Sequence, residues 1–123
     1  MNEHKIFDAL LRDNLNAFIR KTFETVSTGD SFADNWHLQA IAYHLKLCAQ
    51  GDIRRLIITI PPRSLKSISA SVAFPAWLLG HDPTRKIICV SYANDLAIKH
   101  SLDTRIVMES DWYRRCFPHA GLN

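Results

Sequence analysis

The stretch that most restricts the fold is Arg55-Leu56-Ile57-Ile58-Thr59-Ile60, an apolar, β-branched run closed by Pro61-Pro62. β-Branched side chains favour extended backbone, and a run this short reads as a strand rather than a helix. It shows no clean alternation of apolar and polar residues. That pattern predicts a strand buried on both faces, as in a parallel sheet covered by helices. A second run of the same kind is Lys86-Ile87-Ile88-Cys89-Val90-Ser91. Helices first, then strand, loop, helix, strand and helix, make the expected class α/β with a parallel sheet. Two strands make a poor parallel sheet, because inner strands need neighbours and both faces need cover. The expected sheet is therefore incomplete, the front end of a larger domain.

Ile6, Leu10, Leu11, Leu15, Phe18, Ile19 and Phe23 recur at helical spacing and predict one amphipathic helix from Ile6 to about Phe23. The polar cluster Ser27-Thr28-Gly29-Asp30-Ser31 ends it. A second helix is expected from about Trp36 to Ala49, capped by Asp34 or Asn35 and closed by Gly51. From Lys66 to Leu79 small residues predict a helix packed closely on the sheet, kinked or divided by Pro75 near Phe74. Gly80-His81-Asp82-Pro83 reads as a turn. Asn94 caps a helix to about Glu109, with Leu96, Ile98, Leu102, Ile106 and Val107 expected inward. A short helix, Asp111 to Phe117, ends at Pro118. Of the tryptophans, Trp36, Trp77 and Trp112 read as packing residues, with Trp36 also a stacking surface for a base.

Composition sets outer bounds. With 123 residues, 47% apolar and 22% charged, the chain is long enough to bury a core. A formal charge of +3 permits nucleic-acid contact without indicating it. Cys48, Cys89 and Cys116 are an odd, widely spaced set, which argues for a reducing compartment. The six histidines form no cluster at metal-ligand spacing. Neither a signal peptide nor a membrane span is visible, so the expected location is the cytoplasm.

The turn after the first run, Pro62-Arg63-Ser64-Leu65-Lys66-Ser67, carries the chemistry. Strand, tight loop, Lys-Ser and helix is the layout of a phosphate-binding P-loop, in which backbone N–H groups, a lysine and a hydroxyl hold phosphates and Mg²⁺. Lys66 would reach the β- and γ-phosphates and Ser67 would ligate the metal. Alternatively, Lys66 is a solvated surface lysine and Ser67 an ordinary first-turn residue. The usual glycines are replaced by Ile60 and Leu65, and leucine does not share glycine's access to positive φ. Arg63 could act as an arginine finger in cis or make a surface salt bridge.

The run Ile58-Thr59-Ile60-Pro61-Pro62-Arg63-Ser64-Leu65-Lys66-Ser67 resembles the ATPase front end of bacteriophage terminase large subunits, the DNA-packaging motors. Trp36-His37-Leu38-Gln39 is similar to that family's segment upstream of the loop, and Gly51-Asp52-Ile53-Arg54-Arg55-Leu56 to its lead-in to the first strand. Val90-Ser91-Tyr92-Ala93-Asn94-Asp95-Leu96-Ala97 is similar to its second strand and following turn. The likeness covers roughly residues 36 to 118. It implies a RecA-like P-loop NTPase core of the ASCE type, with residues 1–35 a helical lead and 36–123 the first part of the ATPase domain.

The resemblance also implies ATP and Mg²⁺ as cofactors, with Trp36 and Gln39 at the adenine, Gln39 being otherwise an exposed helix glutamine. Tyr92, just past the second strand, stands at the carboxyl end where open α/β sheets place ligands, or else serves packing. The implied partners are double-stranded DNA, a portal protein and a small terminase subunit, with no membrane, in the cytoplasm of a bacterial host of a phage or prophage. The Walker B carboxylates and the nuclease domain are absent from the sequence, so nucleotide binding without turnover is the expectation. The alternatives are a fragment of another P-loop motor, such as a helicase, and a non-catalytic binding or assembly module with a degenerate loop.

Overall fold

The computed structural model describes residues 3–26, 36–58, 68–88, 90 and 94–118. Its elements are α1 (Glu3–Asp13), α2 (Leu15–Val26), α3 (Trp36–Gln50), a π-helical segment (Ile68–Ala73), α4 (Phe74–His81), α5 (Asn94–Glu109) and α6 (Asp111–Cys116). Among the described residues there is no strand and no sheet. The expected α/β class, and with it the RecA-like P-loop NTPase core, is thereby overturned.

The physical reason lies in what the two apolar runs lack. Described residues 55–58, 86–88 and 90 carry no regular structure. Leu56 and Ile58 pack against the core, but Ile57 is 90% exposed, Ile88 89% and Val90 88%. An apolar run becomes a buried inner strand only when neighbours pair its backbone and a second layer covers it. Here one side of the first segment meets the core and its other side faces solvent, as Ile88 and Val90 of the second segment do.

The single helix expected from Ile6 to Phe23 is two helices. Asn14 interrupts it, accepting the Ala17 amide on its side-chain Oδ1 at 3.1 Å while its own carbonyl accepts from Phe18 at 3.0 Å. That is an N-cap, which satisfies a donor the first turn of α2 would otherwise leave open. α3 ends where Gly51 takes φ 87°, and its amide bonds back to the Cys48 carbonyl at 3.2 Å. Glycine reaches that left-handed conformation without a Cβ clash.

Pro75 divides the next helical stretch as expected. The wide π turns end at Ala73 and regular α-helix begins at Phe74, leaving Pro75 in the first turn, where no amide donor is needed. The π segment is the hub of the fold and packs against α2, α3, α4 and α5. Its small buried residues Ser69, Val72 and Ala73 allow that close approach.

One cluster forms the core. Leu11, Leu15, Phe18 and Ile19 from the first two helices meet Val72, Ala76 and Trp77 from the middle and Val107, Tyr113 and Phe117 from the last. The Phe18 ring sits edge-on to Trp112, Tyr113 and Phe117 at centroid distances of 5.3, 6.2 and 6.1 Å. Edge-to-face contact suits the ring quadrupoles. The polar tips of the core aromatic side chains are paired. The Tyr113 hydroxyl donates to the Ala76 carbonyl at 2.8 Å, Trp112 Nε1 to Thr25 Oγ1 at 2.9 Å and Trp77 Nε1 to the Arg12 carbonyl at 3.0 Å. Asp8, almost buried, lies 3.6 Å from the Arg115 guanidinium and ties α1 to α6.

Candidate functional site

Gln39 is exposed on the first turn of α3, whose first residue is Trp36. Pro62, Arg63, Ser64, Leu65, Lys66, Ser67 and Tyr92 lie outside the described residues, as does the side chain of Trp36. The nucleotide reading therefore stood on the sheet that was to present this loop. A P-loop takes its geometry from a strand that delivers the chain to a helix N-terminus. Described residues 55–58, which lead into the loop, are not paired as a strand. The ATPase activity and the ATP and Mg²⁺ cofactors fall with that architecture, and so does a fragment of any other P-loop motor. No group of three or more His, Cys, Asp or Glu among the described residues is placed to hold a metal ion.

The perturbed titratable groups belong to packing and turns. Burial pushes the Cys116 thiol up to about 11, with the neighbouring Asp8 carboxylate adding to the shift. A thiol held neutral is a poor nucleophile. Burial likewise raises Tyr113, whose hydroxyl is committed to the Ala76 carbonyl. Asp82 is lowered by hydrogen bonds from the Thr84 hydroxyl and amide, at 2.6 and 3.1 Å, which close the turn after α4.

The surface carries the stronger signal. α5 was expected to point Ile98, Leu102 and Ile106 inward, and they point out, at 50%, 56% and 49% exposure. Of the residues expected inward, Val107 is buried, and Met108, which was not expected, is buried beside it. The signal was available: a four-residue spacing sets Ile98, Leu102 and Ile106 along one ridge, and Val107 lies on the other side of the same helix. A helix that is apolar on two opposite sides is suited to burial on both.

The outward ridge runs about 12 Å at the helical rise of about 1.5 Å per residue. Ion pairs flank it. Lys99 meets Asp103 at 2.8 Å on one edge, and Arg105 meets Glu109 at 2.9 Å on the other. These i, i+4 pairs compensate one another's charge and leave the ridge between them apolar. Ile6, Phe7 and Leu10 are also exposed, on α1.

The class defined by these observations is a helical domain with an uncovered apolar ridge. Comparison with protein-family models, curated proteins and solved structures finds no match. No helix among the described residues is long and apolar enough to cross a membrane.

Proposed function

We propose that this chain is a helical assembly module, which pairs with a second copy of itself through the outer ridge of α5. The observation that carries the reading is the exposure of Ile98, Leu102 and Ile106 in one row between two ion pairs. A row at i±4 spacing packs against an identical row at a crossing angle of about −50°. Two copies related by a two-fold axis bring such identical rows together without any further component. Leu102 sits at the crossing, and the charges towards the helix ends splay apart. Covering one short ridge buries a small area, so the pairing is weak, with Kd on the order of 10 μM or higher. The cytoplasm is part of the same reading, in keeping with the free thiols of Cys48 and Cys116.

Sedimentation equilibrium over a range of chain concentrations tests it. Reversible dimerisation is expected, and Leu102→Asp should abolish it while the helical circular dichroism is unchanged. Tyr43→Asp, on the exposed side of α3, is the control and should leave association intact. A chain that stays monomeric to about millimolar concentration, or a dimer indifferent to Leu102→Asp, overturns the proposal, since a ridge this size buried at an interface is worth at least about 2 kcal/mol.

A further inference from the structure

Between α1 and α2 lies a cavity of about 420 Å³, open to solvent. Sites for small molecules run from roughly 300 to 1,000 Å³. Phe7 and Leu10, three residues apart on α1, form one wall. Both side chains are nearly half exposed. Ala17, Lys21 and Glu24, at four- and three-residue spacing on α2, form the other wall. Asn14 and Asn16 line the end where the helices join, and Arg20 completes the lining.

The polar groups of the lining follow an order along α2. Asn14 Oδ1 accepts the Ala17 amide at 3.1 Å, so Nδ2 is the donor end of that side chain. The charged side chains are Arg20, Lys21 and Glu24. Lys21 Nζ is held loosely, 6.0 Å from the centre of the Phe7 ring and 3.8 Å from Glu24 Oε2. A charge-assisted hydrogen bond closes to about 2.7–2.9 Å. The Lys21 ammonium and the Glu24 carboxylate therefore stand side by side, both partly exposed, without a close bond between them. Donors come first along α2, the carboxylate of the lining lies three residues beyond Lys21, and apolar surface stands opposite.

We infer that this cavity is a binding site for a free aromatic α-amino acid in its zwitterionic form. The aromatic ring covers Phe7, Leu10 and Ala17. The carboxylate of the ligand faces Lys21 and the Asn14 amide, and its ammonium faces Glu24. Opposite charges 3.8 Å apart on the protein suit a ligand whose own opposite charges sit on neighbouring atoms of one carbon. The dipole of α2 favours the same direction, with the anion towards the N-terminal end and the cation towards the C-terminal end. A plain carboxylic acid would set a like charge against Glu24, and a plain amine would set one against Lys21 and Arg20. A phosphate, with up to two charges, meets Glu24 less favourably still.

The probe is L-phenylalanine, titrated into the intact isotope-labelled chain and read by nuclear magnetic resonance of the backbone amides. Saturable shifts confined to α1 and α2 are expected, with Kd on the order of 1 mM or below. Phenylpropionate, which lacks the ammonium, and phenethylamine, which lacks the carboxylate, should each bind more weakly. Phe7→Ala, at a half-exposed position, should weaken L-phenylalanine about fivefold or more. Glu24→Gln should weaken it about threefold and leave phenylpropionate no weaker, whereas Lys21→Gln should weaken both. All three variants should keep the helical circular dichroism. Equal affinity of the native chain for phenylpropionate or phenethylamine overturns the inference without recourse to a variant. An absence of saturation at about 10 mM L-phenylalanine overturns it too, as do shifts spread over all the helices. Shifts of the same amides on raising the chain concentration alone, with no response to L-phenylalanine, overturn it in favour of a second copy. None of these readings depends on α5, so Leu102→Asp should leave the titration unchanged.

Discussion

Gly80→Ala sets two magnitudes of opposite sign against each other. Gly80 lies in the last turn of α4, and in a helix alanine is favoured over glycine by about 0.8–1.0 kcal/mol. Propensity alone therefore expects a more stable protein. The packing says otherwise. A Cβ built at Gly80 would lie 2.5, 2.6 and 2.7 Å from Cδ2, Cγ and Cε2 of Phe117, whereas real Cβ atoms essentially never approach closer than 3.0 Å. The ring has little room to yield, being 5% exposed and wedged against Phe18, Tyr113 and His81 at centroid distances of 6.1, 5.2 and 5.1 Å. His81 is itself tied down, since its Nε2 bonds to the Arg12 carbonyl at 2.7 Å; the carbonyl can only accept, so Nε2 carries the proton.

Overpacking of this kind costs about 1–3 kcal/mol, and where the clash is with a locked ring the upper part of that range applies. After the gain in propensity, a net loss of about 1–2 kcal/mol is expected. Urea unfolding followed by circular dichroism measures it. With a slope of about 1–3 kcal/mol per molar urea, the midpoint should fall by roughly 1 M at unchanged slope. Phe117→Leu shortens the opposing side chain, so the double variant should lose at least about 0.5 kcal/mol less than the sum of the two singles. A midpoint that rises in Gly80→Ala would refute the reasoning, because it would mean the helix–ring approach relaxes at no cost.

Two further outcomes follow from the interior. Thr22 is fully buried, and its Oγ1 has no hydrogen-bond partner among the described residues, so Thr22→Val should stabilise by about 1 kcal/mol and raise Tm by about 4 °C; a lower Tm would show that the hydroxyl is satisfied. Stability should also fall in alkali: the folded chain holds the Cys116 proton up to about 11, whereas the unfolded thiol releases it near its ordinary 9.0, so stability complete below pH 9 declines as the pH rises towards 11. Tyr113, raised by burial, extends the decline upward, and Cys116→Ala should flatten its lower part in urea midpoints measured across that range.

The helices were legible because their signals are local. Periodic apolar residues marked α3 and α5, glycine at position 51 closed α3, and proline at 75 placed the division before α4. Asn14 was missed because an asparagine inside an unbroken apolar period looks like any exposed helix residue; only its bond to the Ala17 amide shows it to be a cap. The strands failed for a different reason. Residues 55–58 and 86–90 have the composition of buried strands, but burial is supplied by neighbours, and composition carries no information on whether neighbours are there. The same gap hid the candidate ridge. Leu102 and Val107 are equally apolar in the sequence, and only packing distinguishes the one at 56% exposure from the one at 0%.

The contact between α1 and α6 has a consequence in time. Arg12 donates to the Cys116 carbonyl at 3.3 Å across 104 positions, and Asp8 meets Arg115 at 3.6 Å. Such closures carry a high entropy of loop formation and slow a folding reaction that local helices would otherwise make fast. On a ribosome adding about 5–20 residues per second, Phe18 waits on the order of 10 s for the rings that will surround it. Through that interval α1 and α2 hold the apolar side of a core whose other half has not been made. Synthesis rate and chaperone access should therefore govern the yield of this chain more than the stability of its finished fold.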